Sequence, residues 1–498
     1  MTLPADHIRL LFGLKLRQLR LDKGLSASDL AQQSGMSVSY ITEIEKGRKY
    51  PKADKIAALA NAMQVDYDSL VSLKLSKKLE PISDLLRSKF LTEIPLELFG
   101  IDPSDLLELL AEAPAKVSAM IRTFMDIALT YNMSVERLYM TMLRSYQEMH
   151  DNYFPEIEAD ADRFLAEYTA SGQAVSENLL VNLLKTKYDV QIVPFDPAEQ
   201  PELTALRSVY RPERRTLHLN ASLNTAQRTF ILAREVAFQY MGLKIRPYTY
   251  SWVEAESFEQ ILNNYRASYF AGAILIRRDV LVARLTELFD RDTWSNDAFL
   301  DLIRDFNSTP ERFFYRLSNV LPSQFGIDQL FFYRFNHTAG ETDFHLSKEM
   351  HLSRLQGSQG GPRGIIDEHY CRRWIALTIL QELHFLQQNK GVDSTLCRAQ
   401  LSEYADSGVQ YLIVSVAHSH RPDVQQNMSV SMCFAVNDAL RSRMKFMQKP
   451  TPDIPARLVN EACERCGIFD CRERVAAPTV LQKKRQFAGM KQALEKLA

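Results

Sequence analysis

Apolar residues recur at helical spacing along the first 75 positions and predict a small all-helical domain. An opening helix is expected over residues 6–22, and shorter helices over 28–33, 38–46, 56–63 and 67–73. Ser34-Gly35 separates the second and third helices, because glycine accepts the positive φ of a tight turn. Ser37 can cap the third helix, which Gly47 then ends. This arrangement is typical of a helix-turn-helix.

The exposed positions of the third helix are candidate DNA contacts. Ile41 and Ile44 face inward, and in this motif the amino-terminal end of the helix enters the major groove. The basic residues that follow can neutralise phosphates. The predicted DNA-binding residues are Ser37, Val38, Ser39, Tyr40, Thr42, Glu43, Lys46, Arg48 and Lys49. The alternative is a plain surface hairpin with a solvated basic loop, but the turn, cap and basic loop together favour DNA binding.

This segment resembles the phage-repressor, or XRE-type, class of helix-turn-helix over about residues 8–73. The runs GLSxxxLA, SGMSxSYI and IExGRxxP stand at the spacing of that family. The resemblance implies that Arg20, at the end of the opening helix, pairs with Glu45. The family often has a DNA-contacting Gln after GLS, where this chain has Ala27, so readout is expected to depend on the third helix.

The pattern changes twice along the remaining chain. Residues 76–150 are helical in pattern, over 82–90, 103–113, 115–129 and 135–149, and suit either a connector or a dimerisation element. Residues 151–290 alternate: helices over 155–170, 175–187, 225–241 and 258–276 accompany short strands near 190–193, 208–210 and 217–219. Residues 291–498 combine a helix near 313–318 with strands near 330–335, 344–346, 410–415 and 429–436, and contain a loop at 356–364. This last region is expected to be a mixed α/β sensory domain.

Length, charge and composition limit the number of domains, the kind of contact with nucleic acid and the location of the protein. A chain of 498 residues favours about three domains. The net charge is −1, so contact with nucleic acid must be local, and residues 1–75 do carry eleven Lys/Arg against eight Asp/Glu. The start shows no signal-peptide pattern, and no apolar run reaches about 18 residues, as a membrane span requires. The expected location is the cytoplasm, without membrane contact.

The long helix over 225–241 resembles that of the ImmA/IrrE-like domain, a zincin-type metallopeptidase fold. In active members this helix carries His-Glu-x-x-His, which binds zinc and activates water. Here Glu235 remains, but Arg234 and Phe238 replace both histidines, and the third ligand position falls near Asn264. The resemblance therefore implies a pseudo-peptidase without catalytic metal, in which Glu235 forms an ion pair with Arg234 or a neighbour.

Three of the six cysteines, Cys463, Cys466 and Cys471, lie within nine residues. Thiolates at such spacing bind soft metals, and a fourth ligand would come from Cys371, Cys397 or Cys433. The alternative is a set of reduced, unligated thiols. The residues alone do not separate an iron–sulfur cluster from zinc, since both accept four thiolates.

The whole chain resembles the short-chain fatty-acyl regulators, bacterial transcription factors of propionate, methylcitrate and glyoxylate metabolism. Their end motif C-x2-C-x4-C-x2-R, followed by Pro, is matched through Arg474 and Pro478, and their upstream Cys-x-x-Trp by Cys371 and Trp374. A departure is His369-Tyr370, where the family usually has smaller residues. The resemblance implies Cys371 as the fourth ligand, a [4Fe-4S] cluster rather than zinc, and an acyl-CoA effector.

These inferences give a multidomain α+β fold. Its parts are an all-α helix-turn-helix head (1–75), a helical connector or dimerisation region (76–150), a degenerate zincin-like ImmA/IrrE domain (151–290) and a mixed α/β carboxy-terminal sensory domain with a Cys-ligated metal site (291–498). The expected function is a homodimeric transcriptional regulator that binds an operator in double-stranded DNA and responds to an acyl-CoA. The alternatives are an ImmA-like metallopeptidase acting on a repressor, and a redox- or iron-sensing transcription factor.

Overall fold

The computed structural model describes residues 5–72, 98, 123, 135–170, 172–204, 206–247, 257–352, 368–390, 395–421, 425–449 and 452–496. The chain divides into two compact units, residues 1–142 with 255–258, and residues 143–254 with 259–498. The predicted helices 82–90, 103–113 and 115–129 and the predicted loop 356–364 lie outside the described residues, as do most positions between 73 and 134. In the part of the chain that is described, no helix is both long and apolar enough to cross a membrane.

The first unit begins with a five-helix domain. Its helices are α1 (Ala5–Asp22), α2 (Ala27–Ser34), α3 (Val38–Glu45), α4 (Ala53–Ala62) and α5 (Tyr67–Val71). Leu16, Leu30 and Ile41 are fully buried between them, as the spacing predicts. A Cβ on Gly13 would meet the carbonyl oxygen of Ile44 at 2.2 Å, so only glycine lets α1 approach α3 this closely. The predicted helices of this domain are confirmed to within three residues at either end.

The helix α6 (Val135–Met149) follows and coincides with the predicted helix 135–149. The next elements, in chain order, are α7 (Pro155–Tyr168), α8 (Glu177–Thr186), β1 (Gln191–Phe195), β2 (Ser208–Arg211), β3 (Thr216–Asn220), α9 (Thr225–Tyr240) and α10 (Phe258–Leu275). The three strands form a sheet in the order β1-β3-β2, in which β1 and β3 are parallel and β2 and β3 antiparallel. Arg215, at φ 45°, closes the turn between β2 and β3.

The remaining elements are a six-stranded sheet and the helices that accompany it. The helices are α11 (Arg278–Phe289), α12 (Asn296–Asp305), α13 (Pro310–Phe325), α14 (Ile375–Lys390), α15 (Asp438–Arg443) and α16 (Thr479–Glu495). The strands of the sheet are β4 (Leu330–Thr338), β5 (His345–Leu352), β6 (Leu396–Tyr404), β7 (Gln410–Arg421), β8 (Gln426–Ala435) and β9 (Ala456–Val459). The strand order is β5-β4-β8-β7-β6-β9, and within it β6 and β9 are parallel whereas the other pairs are antiparallel.

Alternate residues of β4 face opposite cores, as the period of a strand requires. Phe332 packs with α13 on one face, whereas Tyr333 packs with α14 on the other. The first core also contains Leu281 and Leu285 of α11, so it includes residues from both sides of position 290. The sheet is thus covered on both faces, which explains why β8 is buried along nearly its whole length.

A buried ion pair joins α7 to α13. The side chains of Glu158 and Arg316 are 2% and 1% exposed. Arg316 Nη2 donates to Glu158 Oε2 at 3.0 Å, and its Nε donates to the carbonyl oxygen of Ile276 at 3.0 Å. The Tyr269 hydroxyl donates to Glu158 Oε1 at 2.8 Å. The carboxylate is therefore satisfied on both oxygens, as a charge in a core must be.

Candidate functional site

The helix-turn-helix forms through local capping. Ser26 and Asp29 form a capping box at the start of α2, with the Asp29 N–H donating to Ser26 Oγ at 3.0 Å. Gly35, at φ 66°, ends α2 in the left-handed conformation, and Ser37 Oγ accepts the Tyr40 N–H at 3.2 Å. The Ser37 cap and the glycine turn were predicted. The capping box was missed, although its signal, Ser followed three residues later by an acid, stands in the sequence.

The predicted DNA-contacting side chains share one exposed face and the loop behind it. Ser37, Val38 and Ser39 are exposed at the start of α3, with Val38 46% exposed. Arg48 lies 3.5 Å from Glu43, which connects the loop to the helix. The Lys49 ammonium lies 6.0 Å from the centre of the Tyr40 ring. The structure thus brings the predicted residues together on the first unit, and their contact with DNA stays a prediction.

A buried ion pair fixes α3 against α1. Arg20 Nε donates to Glu45 Oε1 at 2.6 Å, and Arg20 Nη2 to Glu45 Oε2 at 2.8 Å. A third donor, Arg20 Nη1, reaches the carbonyl oxygen of Leu25 at 2.8 Å. The hydrogen bonds to Glu45 raise the pKa of Arg20 despite its burial. The pairing implied by the family resemblance is therefore present, and it holds the end of α3 in place.

Replacing Arg48 and Lys49 together by Ala is expected to weaken binding to all DNA sequences by at least about tenfold and to reduce the salt slope by about two, because two phosphate contacts are lost. Ser39→Ala or Glu43→Ala should instead change the preference between sites. Fluorescence anisotropy across a salt series measures both effects. The matched control is Arg284→Ala/Arg304→Ala, which removes two exposed charges from the second unit. Indifference to all four head substitutions would place the recognition surface elsewhere.

The cysteine loop follows β9, and backbone pairing brings Cys371 to it. An isolated antiparallel bridge pairs Tyr370 with Ala462. The Cys463 N–H donates to the carbonyl oxygen of His369 at 2.9 Å. These contacts join two segments that are far apart in sequence. Of the three candidates for a fourth ligand, the one that lies beside the loop is Cys371.

Arg474 holds the loop from inside. Its Nη1 donates to the carbonyl oxygen of Cys463 at 2.8 Å, and its Nη2 donates to those of Cys466 at 3.1 Å and Ile468 at 2.8 Å. The Ile468 N–H lies 3.4 Å from Cys466 Sγ. Backbone N–H groups directed at sulfur favour the thiolate and tune thiolate-ligated clusters. Arg474 thus has a clear role in the motif: it fixes the backbone from which the thiols project.

The thiols differ in environment. The pKa of Cys371 is raised to about 11, mainly by burial and in smaller part by the neighbouring thiols of Cys466 and Cys463. Cys471 is less buried, and its Sγ lies 3.5 Å from a carboxylate oxygen of Glu473. Among the described residues, no three His, Cys, Asp or Glu side chains converge closely enough to hold a metal ion. The donor set itself, four thiols with an N–H directed at one sulfur, suits a soft metal or an iron–sulfur cluster.

The other two cysteines are parts of the sheet. Cys397 on β6 is 1% exposed and Cys433 on β8 is fully buried. Burial raises the pKa of both thiols. Each packs within one of the two hydrophobic cores that cover the sheet. They behave as small apolar residues.

In the second half of α9, the positions compared above with the His-Glu-x-x-His motif form a polar cluster with Arg246 and Asn264. Arg246 Nη1 donates to Glu235 Oε1 at 2.8 Å, and Arg246 Nη2 to Glu235 Oε2 at 2.5 Å. The Arg246 guanidinium carbon stands 3.9 Å from the centre of the Phe238 ring. Arg234 Nη1 donates to Asn264 Oδ1 at 2.7 Å. The partner of Glu235 is therefore Arg246 rather than the adjacent Arg234, because successive residues of a helix point about 100° apart.

Comparisons with known proteins found one family match and several similar proteins. The helix-turn-helix domain family matches residues 11–73. The chain is 24% identical over 377 residues to the propionyl-CoA carboxylase regulator of Cereibacter sphaeroides, covering 70% of this chain and 74% of that protein. It is 37% identical over 68 residues to the control protein C.BamHI of Bacillus amyloliquefaciens, covering 14% of this chain and 84% of that protein. A solved Mycobacterium tuberculosis transcriptional regulator is 18% identical, with a TM-score of 0.46, over 67% of this chain and 93% of its own.

Proposed function

We propose that this chain acts as a homodimer and responds to an acyl-CoA or a related short-chain fatty-acid metabolite. The premise is that it belongs, through its amino-terminal domain, to the helix-turn-helix transcriptional regulators that bind DNA. The premise rests on the family match over residues 11–73. The observation that carries the DNA-binding role is the capped α3, with its exposed outer face followed by basic residues. The operator would be double-stranded DNA with two half-sites.

The effector proposal is supported by similarity that extends well beyond the DNA-binding domain. The match to a propionyl-CoA carboxylase regulator covers 70% of this chain, whereas the helix-turn-helix family accounts for residues 11–73. The chemistry proposed for this chain is therefore recognition of an acyl-CoA by the region after the head. The ImmA/IrrE-like region would serve packing or ligand binding.

We propose that Cys371, Cys463, Cys466 and Cys471 hold a [4Fe-4S] cluster, or zinc in its place. Such a group would supply a redox-sensitive or structural cross-link between two remote segments. The chain itself contributes the thiols, the Arg474 contacts that fix the loop, and the N–H group directed at Cys466 Sγ. A redox- or iron-sensing regulator, in which the thiols are the input, is the second candidate function, and the same four thiols favour it.

The peptidase alternative is disfavoured by chemistry. Arg234 and Phe238 supply no zinc ligand, and both oxygens of Glu235 are occupied by Arg246. A carboxylate held in this way is not poised to activate water. Absence of metallopeptidase activity is therefore part of the proposal.

The effector proposal is tested by DNA binding with and without ligand. DNA fragments selected from genomic DNA by the full chain are titrated in the absence and presence of propionyl-CoA, and with free coenzyme A as the control. We expect the acyl-CoA to change the apparent Kd for DNA by at least about fivefold, the usual lower range of allosteric coupling. Mass spectrometry of the small molecule that co-purifies with the protein gives an independent identification. If acyl-CoAs of two to four carbons do not change the affinity for DNA, the effector proposal fails, whereas the proposed role as a DNA-binding regulator is unaffected.

A further inference from the structure

The last described helix, α16, carries an apolar stripe that its own chain leaves in solvent. Phe487, Met490 and Leu494 are 69%, 53% and 65% exposed, and none of the residues of α16 is buried. Three large apolar side chains on one face of a surface helix are unusual unless the face is covered in the functional assembly.

The spacing of the stripe identifies the kind of partner. Val480, Phe487 and Leu494 follow one another at intervals of seven residues, and Met490 lies three residues after Phe487. These are the a and d positions of a coiled coil, in which an apolar seam repeats every seven residues. Lys483 occupies the first d position, where its long stem can lie along the seam while the ammonium reaches solvent.

We propose that α16 is a dimerisation helix, which pairs in parallel with α16 of a second copy of this chain. The charge pattern favours this orientation. The e positions hold Lys484 and Lys491, whereas the g positions hold the uncharged Gln486 and Ala493. In a parallel pair e faces g of the partner, so no like charges meet; an antiparallel pair would place lysines against lysines.

The cysteine loop holds the opposite side of the helix. Leu481 Cδ2 lies 3.7 Å from the place where a Cβ on Gly467 would stand. The Arg485 guanidinium carbon lies 5.2 Å from the centre of the Phe469 ring. Leu481 and Arg485 are one turn apart, on the side away from the seam. The loop therefore directs the seam outward, so the arrangement of the four thiols would also set the angle at which two copies meet.

This inference deepens the homodimer proposed above and rests on it. A seam of fewer than three heptads gives modest affinity by itself. Dimerisation would nonetheless bury the apolar surface of four side chains, Val480, Phe487, Met490 and Leu494. Burial of apolar surface is the main source of association free energy. The head and α16 lie in different units, and α16 is tested through the mass of the assembly rather than through DNA.

The test is sedimentation equilibrium of the full chain without DNA. Phe487→Lys/Leu494→Lys is expected to raise the dimer dissociation constant by at least about 100-fold, because two large side chains per copy leave the interface and like charges replace them. The matched control, Gln482→Lys/Gln492→Lys, adds the same two charges outside the seam and should leave the constant unchanged. A dimer that survives the seam substitutions, or a wild-type chain that is monomeric, would overturn the role of α16 without affecting the DNA-binding proposal.

Orientation has its own measurement. Leu494→Cys places a thiol at a seam position that meets its own equivalent in a parallel pair, so oxidation should give a disulfide-linked dimer on non-reducing electrophoresis. Gln492→Cys, on the outer face, should cross-link at least about tenfold less. Equal cross-linking of both variants, or of neither, would refute the parallel seam.

Discussion

Single Ser substitutions at Cys371, Cys463, Cys466 or Cys471 are each expected to abolish the iron–sulfur cluster of the anaerobically purified protein. Wild-type protein should be brown, with roughly one cluster per chain, because four thiolates complete the ligand set of a [4Fe-4S] cluster. Removing one leaves a position that a serine hydroxyl fills poorly. Iron and acid-labile sulfide analysis, together with visible absorbance, measures the loss. Folding should weaken in parallel, since metal binding contributes folding free energy.

The chain offers two matched controls for this prediction. Cys397→Ser and Cys433→Ser change the same atom on strands β6 and β8, away from the loop, and should leave the cluster in place. Zinc without iron would support the four ligands but contradict the redox hypothesis. Anaerobically purified protein that contains neither iron nor zinc would refute the proposed metal site.

Local signals explain why the DNA-binding head was predictable. Ser37 caps α3 and Gly35 turns left-handed, and both effects act within one turn of the residue that causes them. The Glu45 partner of Arg20 was reached only through the family resemblance, because 25 residues separate the two. Spacing identifies which side chains face inward, but it does not identify which remote partner they meet.

The cysteine site shows the same limit on a larger scale. The residues alone left Cys371, Cys397 and Cys433 as equal candidates for the fourth ligand. Cys397 and Cys433 proved to lie on strands of the sheet, whereas Cys371 lies beside the loop through the bridge between Tyr370 and Ala462. Pairing across such a separation depends on the topology of the whole domain, which no local pattern encodes.

Several helices of the second unit were missed, among them α14 and α16. In α14 the apolar side chains Leu377, Leu380 and Leu383 fill a core under the sheet. In α16 no residue is buried, and its large apolar side chains lie on an exposed face. The strand β6 was also missed, and the predicted helix 313–318 proved to be the middle of α13, Pro310–Phe325. The missed α12 has Phe299, Leu302 and Ile303 buried on one face, so an amphipathic pattern that stands in the sequence was missed as well.

Arg316→Met is expected to destabilise the second unit by about 3–5 kcal/mol, the usual loss when one partner of a buried ion pair is removed. Glu158 would keep its charge in the core with its main counter-ion gone. Trp294 and Trp374 are buried in the second unit, so Trp fluorescence during urea unfolding measures this change. The exposed Arg284 pairs with Asp305 at the surface, and Arg284→Met should change stability by at most about 1 kcal/mol.

The pH dependence distinguishes the lost ion pair from a simple packing defect. Burial opposes the charge of Glu158, but Arg316 and its other partners prevail and lower its pKa below the ordinary 4.5. Its contribution is therefore fully present above that value and lost as the pH falls through the lower folded pKa. In Arg316→Met burial should instead raise the pKa of Glu158, which favours its neutral form. The destabilisation should thus be clearly smaller near about pH 4 than near about pH 7.

Glu158→Met/Arg316→Met, which removes both charges, should be more stable at about pH 7 than Arg316→Met alone. A loss that is independent of pH and not relieved in the double variant would show that Arg316 acts there only as packing.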